Sequence, residues 1–264
     1  MPDTHTPDIQ RPPKEIVDGL RHIGSATAAG ELKRLGIRDP HIQGPVAFTP
    51  GKSVVGPALT LQFMPQREDV YRADEYADPE KQLHRHCLYH TRPGDVVVVD
   101  ARGSMDSGVF GNMMLTFFQG RGGVGVVIDG CIRDFPIVQR DLDLGLWLKG
   151  VTPNFHTQTT IYPYAVNVPI ACSDTLVLPG DIIVADDDAG AGAGREGPQP
   201  RRVGGLQPHE AAAGGSPEEV LPPVGGGAAG VRGVEEGPGP VAAPAAPRAY
   251  PVRARQVPSG LFST

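Results

Sequence analysis

Gly94-Asp95-Val96-Val97-Val98-Val99-Asp100 and Gly125-Val126-Val127-Ile128-Asp129-Gly130-Cys131-Ile132-Arg133-Asp134 decide the fold. Pro93-Gly94-Asp95 reads as a turn, and Val96 to Asp100 as an unbroken apolar strand, the pattern of a strand covered on both faces. A glycine-containing loop follows, from Ala101 to Gly111. Asn112 to Gln119 then carries the spacing of a helix with one apolar face. Gly122-Gly123 breaks it, and Val124 to Asp129 is a second buried strand. Phe135 to Arg140 opens another helix. Strand, loop, helix, strand is a βαβ unit, so the two strands are expected to be parallel neighbours.

The flanks extend this unit. Residues 1–14 are Pro-rich and read as a flexible lead-in. Ile16, Leu20 and Ile23 fall at helical spacing, and Ser25 is placed to cap a second helix, Thr27 to Leu35, that stops at Gly36. Val46 to Thr49 and Ser53 to Phe63 read as strands, 65–80 as a charged surface excursion, and Gln82 to His90 as a helix. Further strands are expected at Leu146 to Lys149, Tyr164 to Val168, Thr175 to Leu178 and Asp181 to Ala185. Residues 15–188 therefore read as one α/β domain.

Composition narrows the function. The chain of 264 residues carries a formal charge of −6, which argues against a general nucleic-acid binder. No apolar run reaches the roughly 18–20 residues of a membrane span. The polar start lacks the apolar stretch of a signal peptide. Three scattered cysteines, Cys87, Cys131 and Cys172, form neither a disulfide framework nor a zinc knuckle. A soluble, reducing, cytoplasmic setting is the expectation. Residues 189–264 differ in character: Gly, Pro and Ala make up 42 of those 76 positions, and Lys, Asp, Asn, Ile, Met, Trp and Cys are absent.

In a βαβ unit ligands gather at the carboxyl ends of the strands. Two segments arrive there, the loop ending at Met114 and Gly130-Cys131-Ile132-Arg133-Asp134. The amides of Met113 and Met114, at a helix start, can hold a carboxylate. Asp134 can bind a hard divalent metal, and Arg133 a carboxylate or a growing oxyanion. Spacing alone favours a surface ion pair or a helix-start Asp.

These residues, with Gly111-Asn112-Met113-Met114-Leu115, Asn167-Val168-Pro169-Ile170 and Pro179-Gly180-Asp181-Ile182-Ile183-Val184-Ala185-Asp186-Asp187-Asp188, resemble the RraA-like family over about residues 15–188. That family contains the regulator of ribonuclease activity A and the metal-dependent 4-hydroxy-4-methyl-2-oxoglutarate aldolases. The resemblance implies a layered α/β/β sandwich of swivelling-domain type, a homotrimer or hexamer, and active sites between subunits. It implies Asp134 as the ligand of Mg²⁺ or Mn²⁺, Arg133 as the catalytic group, and Arg133 with the Met113 and Met114 amides as the substrate's binding groups. The implied reaction is retro-aldol cleavage of a 4-hydroxy-2-keto diacid to pyruvate, with oxaloacetate decarboxylation as a side activity. The alternative is a non-catalytic regulator that binds a ribonuclease, or an inactive remnant. Two positions depart from the aldolase pattern. Asn112 stands where the aldolases have an acid that supports metal-bound water, and Ile137 where a further acid sometimes occurs.

Other signals are weaker. His84, His86, Cys87 and His90 have spacings that can bind zinc, yet a half-exposed helix packed on the sheet is the expected reading. Cys131 reads as a small buried residue rather than a nucleophile. Asp106 and Ser107 are expected to touch ligand or to satisfy loop amides. Asp186-Asp187-Asp188 reads as a strand-end turn rather than a metal cluster. In the tail, Gly, Ala, Pro and Arg fill 49 of 76 positions, all with GC-rich codons. That is the product expected of a frameshift near codon 188. A genuine low-complexity tail is the alternative, and translation of the other two frames distinguishes them. Either way little regular structure is expected beyond residue 188.

Overall fold

The computed structural model describes residues 6–67, 69, 78, 81–155 and 160–194. In chain order these form α1 (Lys14–Leu20), α2 (Ser25–Arg34), β1 (Val46–Ala47), β2 (Val54–Pro65), α3 (Leu83–Tyr89), β3 (Val96–Asp100), α4 (Asn112–Gly120), β4 (Gly125–Ile132), α5 (Phe135–Asp141), β5 (Gly145–Val151), β6 (Ile161–Val166), β7 (Ile170–Cys172), β8 (Thr175–Val177), β9 (Ile182–Asp186) and β10 (Ala189–Gly194). The main sheet runs β1-β5-β4-β3-β2-β9-β10, with β6 also on β2 and β7–β8 a separate hairpin. β2, β3, β4 and β5 are mutually parallel, as the βαβ pattern requires. β1, β6, β9 and β10 add antiparallel pairs.

Alternation along β3 builds two cores. Val97 and Val99 join Leu88 of α3, Leu115 and Phe118 of α4 and Val138 of α5. Val96 and Val98 face the other way, onto Trp147, Ile170, Cys172, Val177 and Ile183. All four valines are fully buried, each contributing about 1.5–3 kcal/mol of apolar burial. Helices thus cover one face of the parallel strands, and the β7–β8 hairpin with β9 covers the other.

β2 is long because it serves two sheet regions. Its first half, Val54 to Pro57, pairs with β9. Its second half lies between β3 and β6. Ser25, expected as an N-cap, is the first residue of α2; Gly24 is the cap. The capping acceptor comes from far away: Asp186 takes Ser25 N–H at 2.7 Å and its hydroxyl at 2.6 Å.

One expectation is corrected. Residues 6–13, read as part of a flexible lead-in, are tied down. Ile9 is buried. Arg11 donates to buried Asp95 through Nε (2.9 Å) and Nη2 (2.6 Å), and to the His90 carbonyl (2.8 Å). Asn167 donates to the Pro7 carbonyl. A fully buried carboxylate such as Asp95 is tolerated only with such a partner, so the strand start recruits the arm. Beyond residue 188, Ala189–Gly194 forms strand β10 against β9, with Ala189 opposite Asp186. Pairing is a backbone property, and the Asp187-Asp188 turn feeds the chain back along β9, so apolar periodicity is not needed there. Residues 195–264, most of the tail, lie outside the described residues, as does most of the 65–80 excursion. No helix among the described residues is long and apolar enough to cross a membrane.

Candidate active site

Beyond Ala101 the loop returns to the sheet and runs alongside the end of β4. Gly108 bridges in parallel to Cys131 on one side and to Phe155 on the other. Val109 N–H donates to the Cys131 carbonyl and Arg133 N–H to the Phe110 carbonyl, both at 2.9 Å. Gly108 N–H donates to the Asn154 carbonyl at 3.1 Å. The loop thus runs as an extended segment beside the end of β4, past the bulge between Ile128 and Cys131.

This path brings Arg133 and Asp134 against the start of α4. A Cβ on Gly111 would stand 2.6 Å from Asp134 Oδ2 and 2.9 Å from Arg133 Nε, so only glycine allows this approach. Asp134 Oδ2 accepts Asn112 N–H at 3.2 Å. Asp134 itself is left-handed, with φ of 59°, a conformation Asp tolerates better than most residues. The next two amides of α4, Met113 and Met114, have no acceptor among the described residues. The Met113 side chain is 81% exposed, while Met114 packs on the core.

Both candidate side chains stay accessible: Arg133 is 40% and Asp134 30% exposed. Their closest approach, Nε to Oδ2, is 3.9 Å, too long for a hydrogen bond. Arg133 Cζ instead lies 5.9 Å from the Phe155 ring centre. The result is a small exposed niche holding a guanidinium, a carboxylate and two helix-start amides. It can receive an anion on the cation and amides, and a hard cation on the carboxylate. Asn112, half-buried at the mouth, adds a neutral amide. Ile137 is 39% exposed on α5.

The other singled-out residues fall elsewhere. Cys131 is fully buried, and burial, then the nearby Asp106 charge, pushes its thiol pKa up; it is no thiolate nucleophile. Ser107 is fully buried and its hydroxyl has no partner among the described residues, while Asp106 is exposed. His84, His86 and Cys87 are all buried in α3, more deeply than a half-exposed helix implies. No group of three or more His, Cys, Asp or Glu side chains is arranged to hold a metal among the described residues. Asp186 caps α2, and Asp187 accepts Gly51 N–H with both oxygens (3.0 and 2.9 Å), which accounts for the aspartate run as turn chemistry.

Sequence reasoning missed a second polar group at the same strand ends. Asp100, Asp129 and Lys149 terminate the rows Val98–Asp100, Val127–Asp129 and Trp147–Lys149, on the hairpin face. Asp129 is 4% exposed; its Oδ1 accepts Gly103 N–H and its Oδ2 accepts Ser173 N–H at 3.0 Å. Lys149 Nζ stands 3.9 Å from Asp129 Oδ1. Asp100 accepts Arg102 N–H at 3.0 Å, and burial, with the Asp129 charge beside it, raises its pKa. The period-2 row on three adjacent strands is the signal that could have revealed it. Phe155 and Asn154 carried no signal at all.

A family model described as RraA-like, Aldolase/RraA, matches residues 15–190. The chain belongs to the RraA-like family. It is 34% identical over 135 residues to "Putative 4-hydroxy-4-methyl-2-oxoglutarate aldolase" of Halalkalibacterium halodurans, covering 51% of this chain and 57% of that one. It is 33% identical over 116 residues to a protein of the same name from Deinococcus radiodurans, covering 44% and 71%. The matched stretch thus spans little more than half of the first relative. Among solved structures, Streptomyces coelicolor RraAS2, described as an unusual member of the RNase ES inhibitor RraA protein family, is similar. Its TM-score is 0.63 and its identity 45%, over 69% of this chain and 86% of that one.

Proposed function

We propose that the chain is a divalent-metal-dependent lyase that cleaves 4-hydroxy-2-keto diacids of the 4-hydroxy-4-methyl-2-oxoglutarate type to pyruvate. The observation that carries this reading is the niche itself: an arginine without a bonded carboxylate, beside one accessible carboxylate, at two open helix-start amides. The donor set fits Mg²⁺ or Mn²⁺. Asp134 is one hard carboxylate, engaged by a single long hydrogen bond, and Mg²⁺ is commonly held by one or two carboxylates with water and substrate filling the rest. When bound, such an ion supplies Lewis-acid polarisation of the keto group.

The chain's own groups then divide the work. The Met113 and Met114 amides hold the substrate's C1 carboxylate, assisted by the α4 dipole. Arg133 faces the C2 oxygen and matches the negative charge that grows there as the C3–C4 bond breaks. The bond's electron pair enters the enolate of pyruvate, and the C4 hydroxyl becomes a carbonyl. Its proton goes to a water that the Asn112 side chain can orient but from which it cannot take the proton. The enolate is finally protonated at C3. The same enolate arises when oxaloacetate loses CO₂.

Tyr89, Met113 and Phe117 are exposed on α3 and α4, an apolar face that further copies of the chain would cover in a homotrimer or hexamer. A second reading is a regulator that binds a ribonuclease. It is favoured by the 45% identity to RraAS2 and by Asn112 and Ile137 at two acidic positions of the aldolases. Oxaloacetate with purified protein and Mg²⁺ separates the two. The lyase releases pyruvate, stops in EDTA and recovers with Mg²⁺ or Mn²⁺. No pyruvate with Mg²⁺, or undiminished release in EDTA, overturns the metal-dependent reading.

A further inference from the structure

Two arginines, Arg11 and Arg133, are held in opposite ways. Arg11 is bonded on every side: Nε and Nη2 to Asp95, Nη1 to Asp8 at 3.0 Å, and Nη2 also to the His90 carbonyl. Its donors are committed and its charge is neutralised, so it is a brace. Arg133 is anchored through its backbone N–H to Phe110, yet none of its guanidinium donors meets an acceptor among the described residues. Its neighbour Asp134 stays 3.9 Å away. A long, partly exposed side chain held only by its backbone would sample many rotamers. The Arg133 stem packs on Gly108 and Gly111, and the contact at the guanidinium itself is the face of Phe155, 5.9 Å from Cζ, within the range of a cation–π attraction.

We infer that Phe155 is the positioning residue for Arg133, holding the guanidinium by its ring face so that its N–H donors stay open to an anionic substrate. A carboxylate partner would fix the side chain equally well but would take those donors and cancel the charge. An aromatic face orients the cation and takes neither. The placement of Phe155 is itself determined. The bridge to Gly108 and the Gly108–Asn154 hydrogen bond set its backbone beside the loop before α4. A Cβ on Gly108 would lie 2.4 Å from the Asn154 carbonyl and 3.0 Å from Arg133 Cβ. Residues 108, 133 and 154–155 therefore lie at backbone distance of one another, which brings the Phe155 ring to the Arg133 guanidinium. The segment after β5 becomes a third wall of the niche.

The geometric part stands on these contacts alone; its consequence for catalysis rests on the lyase reading. The test compares the full-length wild type with Phe155→Leu, which keeps an apolar side chain but loses the ring face, and Phe155→Trp, which keeps a face. Three readouts are taken: the thermal midpoint, oxalate affinity by calorimetry in Mg²⁺ buffer with kcat and KM on oxaloacetate, and the ring-current shift of the Arg133 Nε–H resonance in the ligand-free protein. That resonance is assigned by its loss in Arg133→Lys. Phe155→Leu should leave the midpoint in place, abolish the ring-current shift, weaken oxalate three- to ten-fold and lower kcat as well as raise KM. Phe155→Trp should restore all of these. Wild-type oxalate affinity in Phe155→Leu, or Phe155→Trp as weak as Phe155→Leu, overturns the inference. If the wild type neither binds oxalate nor releases pyruvate, the lyase reading fails, and the resonance decides Phe155 by itself. A shift unchanged in Phe155→Leu then overturns the positioning role, and its loss upholds it.

Discussion

Two charged groups crown the same parallel strands on opposite faces of the sheet. On the hairpin face Asp100 and Asp129 are closed in beside half-buried Lys149, and the Asp129 carboxylate accepts on both oxygens, from Gly103 and Ser173 amides. On the helix face Arg133 and Asp134 are exposed, held 3.9 Å apart and scarcely bonded. The residue types are alike; the state of their donors and acceptors is not. A buried carboxylate with both oxygens bonded, as at Asp129, ties loops together. A poorly satisfied accessible pair keeps bonding capacity for something else. Bonding state therefore separates a brace from a candidate site here, where residue type and position at strand ends do not.

Removing Arg133 should break the comparison hardest. If its charge serves a reaction rather than the fold, Arg133→Ala lowers kcat for oxaloacetate on the order of 10²–10³-fold, while the thermal midpoint stays within a degree or two. A large drop in midpoint with kcat intact would make Arg133 a second brace. The mirror experiment is Asp129→Ala. It strands the Ser173 amide, while Gly103 N–H keeps the Asp129 carbonyl at 2.9 Å, and it removes the carboxylate 3.9 Å from Lys149; the cost should be about 1–3 kcal/mol of stability, read from urea unfolding.

Asn112→Asp sharpens the contrast from the other side. It adds a charge at the mouth of the open site, where Asp134 is the nearest carboxylate. Mg²⁺ affinity, followed as activity against free Mg²⁺, should rise about tenfold, as for other residues that support a metal from outside its direct ligands. An unchanged Mg²⁺ dependence would show that the missing acid is not limiting. The smallest expected effect is that of Asp100→Asn. Because burial raises the Asp100 pKa, the charged carboxylate costs stability. Stability from this group is fully present below the ordinary carboxylate pKa, about 4, and is lost as pH rises through the raised value in the folded protein. Asp100→Asn, which still accepts Arg102 N–H, should therefore be more stable than the wild type at pH 7 by up to about 1 kcal/mol. The difference should shrink to nothing as pH falls below about 4, checked by melting curves across pH.

The βαβ unit could be read from the chain because it depends on local pattern: Val96 to Val99 as an unbroken apolar run, and a helical period between two glycine-bearing turns. The same locality made Arg133, Asp134 and the Met113 and Met114 amides visible as candidates, since each sits within a few residues of a strand end or helix start. The antiparallel additions were harder. β2 pairs β9 with one half and β6 with the other, and nothing in Val54 to Pro65 states its partners. Asp186 looked like part of a metal-like aspartate run, yet it caps a helix 161 positions away. The arm at residues 6–13 looked free because its proline-rich composition predicts no packing. It is fixed by a buried charge at Asp95 that only the fold places within reach.

By itself, then, the amino-acid sequence determined the parallel core, the strand ends where chemistry gathers and the break in composition at residue 189. All three follow from periodicity and residue type over short spans. Tertiary structure alone decided which charged groups are bonded and which are open. That outcome depends on contacts across many residues. Gly103 and Ser173 close over Asp129, Asp95 captures Arg11, and Gly108 lets Phe155 approach Arg133 where any side chain would hold it off. Hydrogen bonds and cation–π contacts fade within a few ångströms, so they exist only once the backbone has brought distant segments to that distance.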